Sequence, residues 1–265
     1  MNDSIIAVII GIVEGLTEFL PISSTGHMIL VGSLLGYEGN EASVLQVFIQ
    51  LGAILSVLIL YRDKFRRMLD MRRPSITGGL SAFHVAAGIV PVMGIAFFLH
   101  KPIKEYLFSP FTVIIGLVAG AVIMLAAEKI AKRPVTRKVD DMTLAQAFFV
   151  GLFQVLSLWP GFSRSGSTIA GGLLLGLSRT AAAEFSFIIA VPLMAVACIY
   201  DLVKNLDQLS GGDLQMIGIG FVVAFAVAYA SILWFLRFLN TSTLASFAYY
   251  RFILAGWSYY YFFLR

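Results

Sequence analysis

Two polar stretches interrupt an otherwise apolar chain of 265 residues. Residues 14–27 read EGLTEFLPISSTGH and residues 154–168 read QVLSLWPGFSRSGST. In the first, Glu14 and Glu18 stand four apart and so share one helix face. A carboxylate at the centre of a bilayer costs roughly 2.5–3.5 kcal/mol even on lenient insertion scales. Two on one face therefore call for a metal, a counter-cation or a proton between them. They read either as a divalent-metal ligand pair or as a general acid/base pair. The competing reading is a protonated pair with a structural role.

Pro21 breaks the helix, and Ser23, Ser24, Thr25, Gly26 and His27 follow. Hydroxyls and free backbone N–H groups at a helix N-terminus suit an anion, although simple N-capping would use the same residues. His27, three residues beyond Ser24, adds a group able to activate a serine or water, or to protonate a leaving oxygen. In the second stretch Arg164 lies among Ser163, Ser165, Gly166 and Ser167. A guanidinium fork surrounded by hydroxyl and backbone donors is an anion cradle, with a snorkelling interfacial arginine as the alternative. Paired carboxylates, hydroxyls, an imidazole and an arginine together suit phosphoryl transfer, with Arg164 and any metal neutralising the transferring group. Gln50 lies mid-span within reach of such a site. Glu184 is a candidate partner for Arg164 or Arg179, and His84 reads as structural.

The elements that must position these groups are membrane helices. Hydrophobic residues make up 59% of the chain and charged residues only 13%, about half the charged share of a soluble domain. Mean hydropathy is +0.88. The lone Cys198 excludes an intramolecular disulfide and a cysteine metal cluster. The net charge of +4 sits mainly in two short basic loops. It therefore reports topology rather than a nucleic-acid partner, and those loops read as contacts to anionic lipid. Six spans are expected, at 43–61, 80–100, 111–128, 181–200, 214–236 and 245–264, the last ending in an aromatic belt at 259–263. The segments 4–36 and 142–178 are each two short apolar runs around a Pro/Ser/Gly break. Each fits a re-entrant hairpin better than a span.

The fold class expected is thus all-α and polytopic, a single membrane domain over 1–265 with six transmembrane helices and two re-entrant hairpins. The first repeat is 1–130 and the second 142–265, each one hairpin and three spans. Because three is odd, the second repeat is inverted relative to the first, with the basic loops inside and both termini outside. An offset of 140 superposes Gly11 on Gly151, Glu14 on Gln154, Leu16 on Leu156, Ser23 on Ser163 and Gly26 on Gly166, while the prolines miss by one.

Residues 14–27 and 159–168, with DDMT at 140–143 and EFSF at 184–187, resemble the undecaprenyl pyrophosphate phosphatase family, also called the bacitracin-resistance family. The likeness covers essentially the whole chain, and only Ser167 stands where the family carries a varying small residue. The resemblance implies hydrolysis of undecaprenyl pyrophosphate to the monophosphate carrier lipid and phosphate, in a bacterial inner membrane, at a site facing the periplasm. It also implies a divalent cation, Mg²⁺ or Ca²⁺, held by Glu14 and Glu18. On matching positions it implies Ser24 as nucleophile, His27 as its general base and later acid, and Arg164 on the phosphate. Ser23, Thr25, Gly26, Ser163, Ser165 and Gly166 complete the phosphate cradle, and Glu18, with Glu14 behind it, holds the metal or orients His27. His27 itself or an activated water is the alternative nucleophile. The expected partners are a polyprenyl pyrophosphate lipid and the bilayer, with a homodimer left open and no nucleic acid. The rival function is a lipid-phosphate transporter or flippase on the same scaffold, which would not need Ser24 beside His27. The sequence lacks the Lys-x6-Arg-Pro signature of type-2 phosphatidic acid phosphatases, and a plain structural scaffold leaves the buried charges unexplained.

Overall fold

A computed structural model describes residues 2–37, 40–69, 79–107, 109–205 and 211–265. Arg72 and Arg73 of the first basic loop lie outside the described residues. Among the described residues the protein is helical, with no strand beyond an isolated bridge between Thr136 and Leu177. Eleven α-helices occur in order: α1 Asp3–Thr17, α2 Ser24–Leu35, α3 Asn40–Leu60, α4 Arg62–Leu69, α5 Ala82–Tyr106, α6 Pro110–Ile130, α7 Leu144–Gln154, α8 Arg164–Leu174, α9 Arg179–Asn205, α10 Gly211–Thr241 and α11 Ala245–Tyr259.

Among the described residues four helical segments, Ala82–Leu99, Pro110–Ile130, Arg179–Tyr200 and Gln215–Thr241, are long and apolar enough to cross a bilayer. A fifth candidate is the bent pair Leu45–Leu60 and Arg62–Met68. The protein is a multi-pass membrane protein. Helices α1, α2, α7 and α8 have only 15, 12, 11 and 11 residues. At about 1.5 Å per residue none matches the roughly 30 Å hydrocarbon layer.

Two elements depart from the sequence expectation. The basic stretch after Tyr61 is not a loop throughout: α4 is helical and turns 79° away from α3. Its Arg62, Lys64, Arg66 and Arg67 need water or headgroups, while Phe65 and Met68 pack on the core, so an amphipathic turn leaving the apolar axis satisfies both faces. The last expected span is an α-helix only to Tyr259, and a π-helix carries the aromatic end over Tyr260–Leu264.

Packing couples the two halves of the chain. Helix α1 lies on α10 and α7 on α5, α3 packs on α9, and α6 packs on α11. Glycines permit the closest approaches, as is usual where helices meet without a hydrophobic drive from water. A Cβ at Gly11 would come within 2.8 Å of the Gly220 carbonyl, and one at Gly151 within 2.6 Å of the Gly88 carbonyl. These two glycines are the pair related by the offset of 140. A half-buried tie joins α6, α9 and the start of α11: the Glu128 carboxylate accepts both Nε and Nη2 of Arg179 and the Leu244 N–H.

Candidate active site

The same local geometry ends both breaks. Ser23 and Ser163 have φ of 70° and 75° and are the non-glycine residues with positive φ among the described residues. Such a backbone is rare for a residue with a Cβ and costs on the order of 1–3 kcal/mol. Each serine recovers part of this as the N-cap of the following helix: Ser23 Oγ accepts from the Gly26 N–H at 3.3 Å and Ser163 Oγ from the Gly166 N–H at 3.1 Å. His27 Nδ1 and Ser167 Oγ, again 140 apart, donate back to the carbonyls of Ser23 and Ser163 at 2.8 and 2.6 Å. The two breaks are local copies of one turn.

They meet through Glu18. Its Oε1 accepts from Arg164 Nη2 at 3.0 Å, and its Oε2 accepts from Ser24 Oγ at 2.6 Å. Arg164 is 12% exposed and Glu18 8%. The same guanidinium donates through Nη1 to the Ser186 carbonyl at 2.9 Å and to its hydroxyl at 3.1 Å, and lies over the Phe19 ring. Ser165 Oγ adds a second tie, donating to the Leu20 carbonyl at 2.9 Å. A polar pocket of about 190 Å³ opens at this junction, lined by Glu18, Ser23, Ser24, Thr25, Gln50, Ser157, Trp159, Ser163, Arg164 and Met194.

Several expected ligands take other places. The N–H groups of Gly26 and Gly166 are already held by the serine caps, and Gly166 backs onto Arg251 and Met124. Ser165 is fully engaged with Leu20 and Ser163. These three residues build the turns and do not line the pocket. Glu184 pairs with neither arginine: Arg164 takes Glu18 and Arg179 takes Glu128. His84 caps α5 through Ser81.

The pairing of Ser24 with His27 does not form. Ser24 donates to Glu18, and both ring nitrogens of His27 are occupied. Nδ1 faces a carbonyl, which only accepts, so Nδ1 carries a proton; in the neutral ring Nε2 then accepts from the Tyr250 hydroxyl at 2.7 Å. His27 and Tyr250 stack with rings 6° from parallel. They line a separate apolar cavity of about 730 Å³ with Leu16, Leu20 and Ile22 on one side and Ala226, Ala230 and Trp234 on the other. The group that accepts from Ser24 is the Glu18 carboxylate.

Sequence reasoning missed three groups at the site: Ser186, Tyr250 and Arg251. Arg251 carried a usable signal, because it is the one arginine between residues 245 and 264, and an intramembrane charge marks function or a specific partner.

Glu14 is 1% exposed, and neither carboxylate oxygen has a hydrogen-bond partner. Its polar neighbours are Glu18 and Gln50, with the Arg164 charge nearby but not bonded to it. An orphaned buried carboxylate needs a cation or a proton. The donors around it are hard oxygens, which suit Mg²⁺ or Ca²⁺ rather than a softer metal. No group of three His, Cys, Asp or Glu side chains is assembled among the described residues. A cation here would therefore draw on Glu14, Glu18, the Gln50 carbonyl and oxygens of its ligand.

A family model described as "Bacitracin resistance protein BacA" matches residues 7–257. The chain belongs to this family. A relative named "Undecaprenyl-diphosphatase 1" from Bacillus thuringiensis (strain Al Hakam) is 49% identical over 257 residues, covering 96% of this chain and 97% of the relative. Proteins of the same name from Bacillus cereus and Bacillus anthracis are each 48% identical over the same share.

Proposed function

We propose that this protein is an undecaprenyl-diphosphatase. It hydrolyses undecaprenyl pyrophosphate to undecaprenyl phosphate and inorganic phosphate, returns the carrier lipid to cell-wall synthesis and so confers bacitracin resistance. The single observation that carries this is the junction at Glu18, where a serine hydroxyl from one break and an arginine from the other share one carboxylate beside a polar pocket.

The chemistry follows from those contacts. The terminal phosphate enters between Ser24 and Arg164, whose Nη2, paired with Glu18 Oε1, also donates to one of its oxygens. Ser24 Oγ attacks the terminal phosphorus as Glu18 Oε2 takes its proton. The bond to the bridging oxygen breaks, and undecaprenyl phosphate leaves with that oxygen and with the proton that Glu18 took from Ser24, which restores the Glu18 carboxylate. Water then attacks the phosphoserine, with Glu18 as base, to release phosphate and restore the hydroxyl. Ser23 and Thr25 supply further donors, and Gln50 and Ser163 line the pocket around them. Glu14 and Glu18, with Gln50, would hold Mg²⁺ or Ca²⁺, which when bound neutralises charge on the pyrophosphate oxygens. The apolar cavity beyond Leu20 and Ile22 takes the first isoprene units of the lipid.

The architecture proposed around this site is six spans and two re-entrant hairpins in two inverted repeats, 1–130 and 142–265, in a bacterial plasma membrane with the pocket open to the outer face. The matching turns at Ser23 and Ser163, and the reciprocal packing of α1 on α10 and α7 on α5, support it.

The test is phosphate release from a polyprenyl pyrophosphate by the purified protein in detergent, with and without EDTA. Release that EDTA abolishes and Mg²⁺ or Ca²⁺ restores is the expected result. Folded protein that binds the lipid and releases no phosphate overturns the hydrolytic reading.

A further inference from the structure

Arg251 is wholly buried, at 0% exposure, and its hydrogen-bonding groups face no carboxylate. Instead its donors are distributed over backbone carbonyls. Nε donates to Leu117 at 3.1 Å, and Nη2 donates to Gly116, Gly161 and Phe162 at 3.1, 2.8 and 2.9 Å. Nη1 faces the Met124 sulfur at 3.5 Å. Two of these carbonyls belong to α6. The other two belong to the residues immediately before Ser163 and Arg164, at the point where the second break turns into α8. The glycines around it make the space: a Cβ at Gly120 would collide with the guanidinium and with the Phe162 carbonyl.

The residue before it reaches the other break. Tyr250 donates to His27 Nε2 at 2.7 Å and stacks on its ring, and His27 in turn donates to the carbonyl of Ser23. Neighbouring residues on a helix point about 100° apart, so one dipeptide of α11 addresses both turns. Tying α11 to α6 does not require this arrangement. An apolar side chain would do that at lower cost than a desolvated guanidinium, and Tyr250 does not touch α6 in making its bond to His27.

We infer that Tyr250 and Arg251 are a positioning pair for the active site: Arg251 fixes the carbonyls that aim Ser163 and Arg164, and Tyr250 fixes His27 and through it the turn that aims Ser23 and Ser24. This rests on the hydrolytic reading of the site. Lysine would not replace Arg251, because a single ammonium does not span carbonyls on both α6 and the break.

The experiment compares wild type, Tyr250→Phe and Arg251→Lys for kcat and KM on a polyprenyl pyrophosphate, alongside thermal unfolding in the same detergent. Tyr250→Phe removes only a hydroxyl and keeps the ring stack. It is expected to unfold with the wild type, keep KM within about twofold and lose at least tenfold in kcat. Arg251→Lys is expected to lose at least a hundredfold in kcat/KM, with KM raised. Wild-type kcat in folded Tyr250→Phe overturns the inference even if Arg251→Lys fails to fold, and so does wild-type kcat/KM in Arg251→Lys. If the wild type shows no turnover, it is the hydrolytic reading that fails. The pair is then read from the thermal upshift given by inorganic pyrophosphate, for which Arg251→Lys should need at least tenfold more ligand. An equal requirement in the variant, or no upshift in the wild type, overturns the positioning role.

Discussion

At the scale of single residues the site turns on Glu18, which accepts from the proposed nucleophile and from the proposed phosphate-binding arginine at once. Ser24→Ala removes the nucleophile and leaves the Glu18–Arg164 pair intact. We expect turnover to fall by at least two to three orders of magnitude with little change in thermal stability, because the serine is half-buried at the pocket edge. His27→Gln tests the reassignment of the histidine. If His27 shapes the turn and Glu18 is the base, Gln, which still presents a donor and an acceptor, should lose roughly ten- to thirtyfold in kcat, about as much as Tyr250→Phe and well short of Ser24→Ala, read in the same phosphate-release assay. A loss as deep as that of Ser24→Ala would return the imidazole to the chemistry. The residue types at this site were legible in the sequence because charges and hydroxyls stand out in an apolar chain. Their pairing was not. Three residues along a helix placed His27 near Ser24 by spacing, whereas the positive φ at Ser23 rotates the start of α2 and sends the ring to Tyr250, 223 positions away in sequence.

At the scale of elements, the breaks depend on backbone that few residues adopt. Gly161 has φ of 90°, and a Cβ there would strike the Val113 carbonyl of α6. Gly36, which ends α2 with φ of 62°, faces open space. Gly161→Ala should therefore lower stability by about 2–3 kcal/mol and displace Arg164, with activity falling at least tenfold. Gly36→Ala should cost about 1 kcal/mol and leave kcat within twofold. Thermal unfolding and turnover of the two variants, measured together, check the contrast. The short lengths of the apolar runs around Pro21 and Pro160 announced these breaks in the sequence. The α3–α4 bend and the π-helical end of the chain were not announced, since each follows from neighbours that local hydropathy does not name.

At the scale of the whole molecule, the proposed architecture has two halves that are inverted copies and meet at their breaks. Loop charge sets the orientation. Arg133, exposed in the loop after α6, should lie in the cytoplasm, and Ser4, at the start of α1, outside. With the buried Cys198 replaced by serine, a cysteine at Arg133 should react with a membrane-impermeant maleimide only after permeabilisation, and one at Ser4 in intact cells. The reverse pattern would invert the topology. The matching turns were visible in the sequence at Ser23 and Gly26 against Ser163 and Gly166, with Gly11 against Gly151 ahead of them. What spacing did not show is why Gly11 and Gly151 recur: each lets a hairpin helix lie against a carbonyl of the opposite half. The most direct test of one site built from two breaks is a double-mutant cycle on kcat with Glu18→Gln, Arg164→Gln and the double variant. If the two residues act as a unit, each single variant should lose at least a hundredfold and the double should lose no more than about tenfold beyond the worse single. Losses that multiply would mean that the two residues act independently and do not form one unit, and an Arg164→Gln variant with wild-type kcat would mean that the second break takes no part in the chemistry of the first.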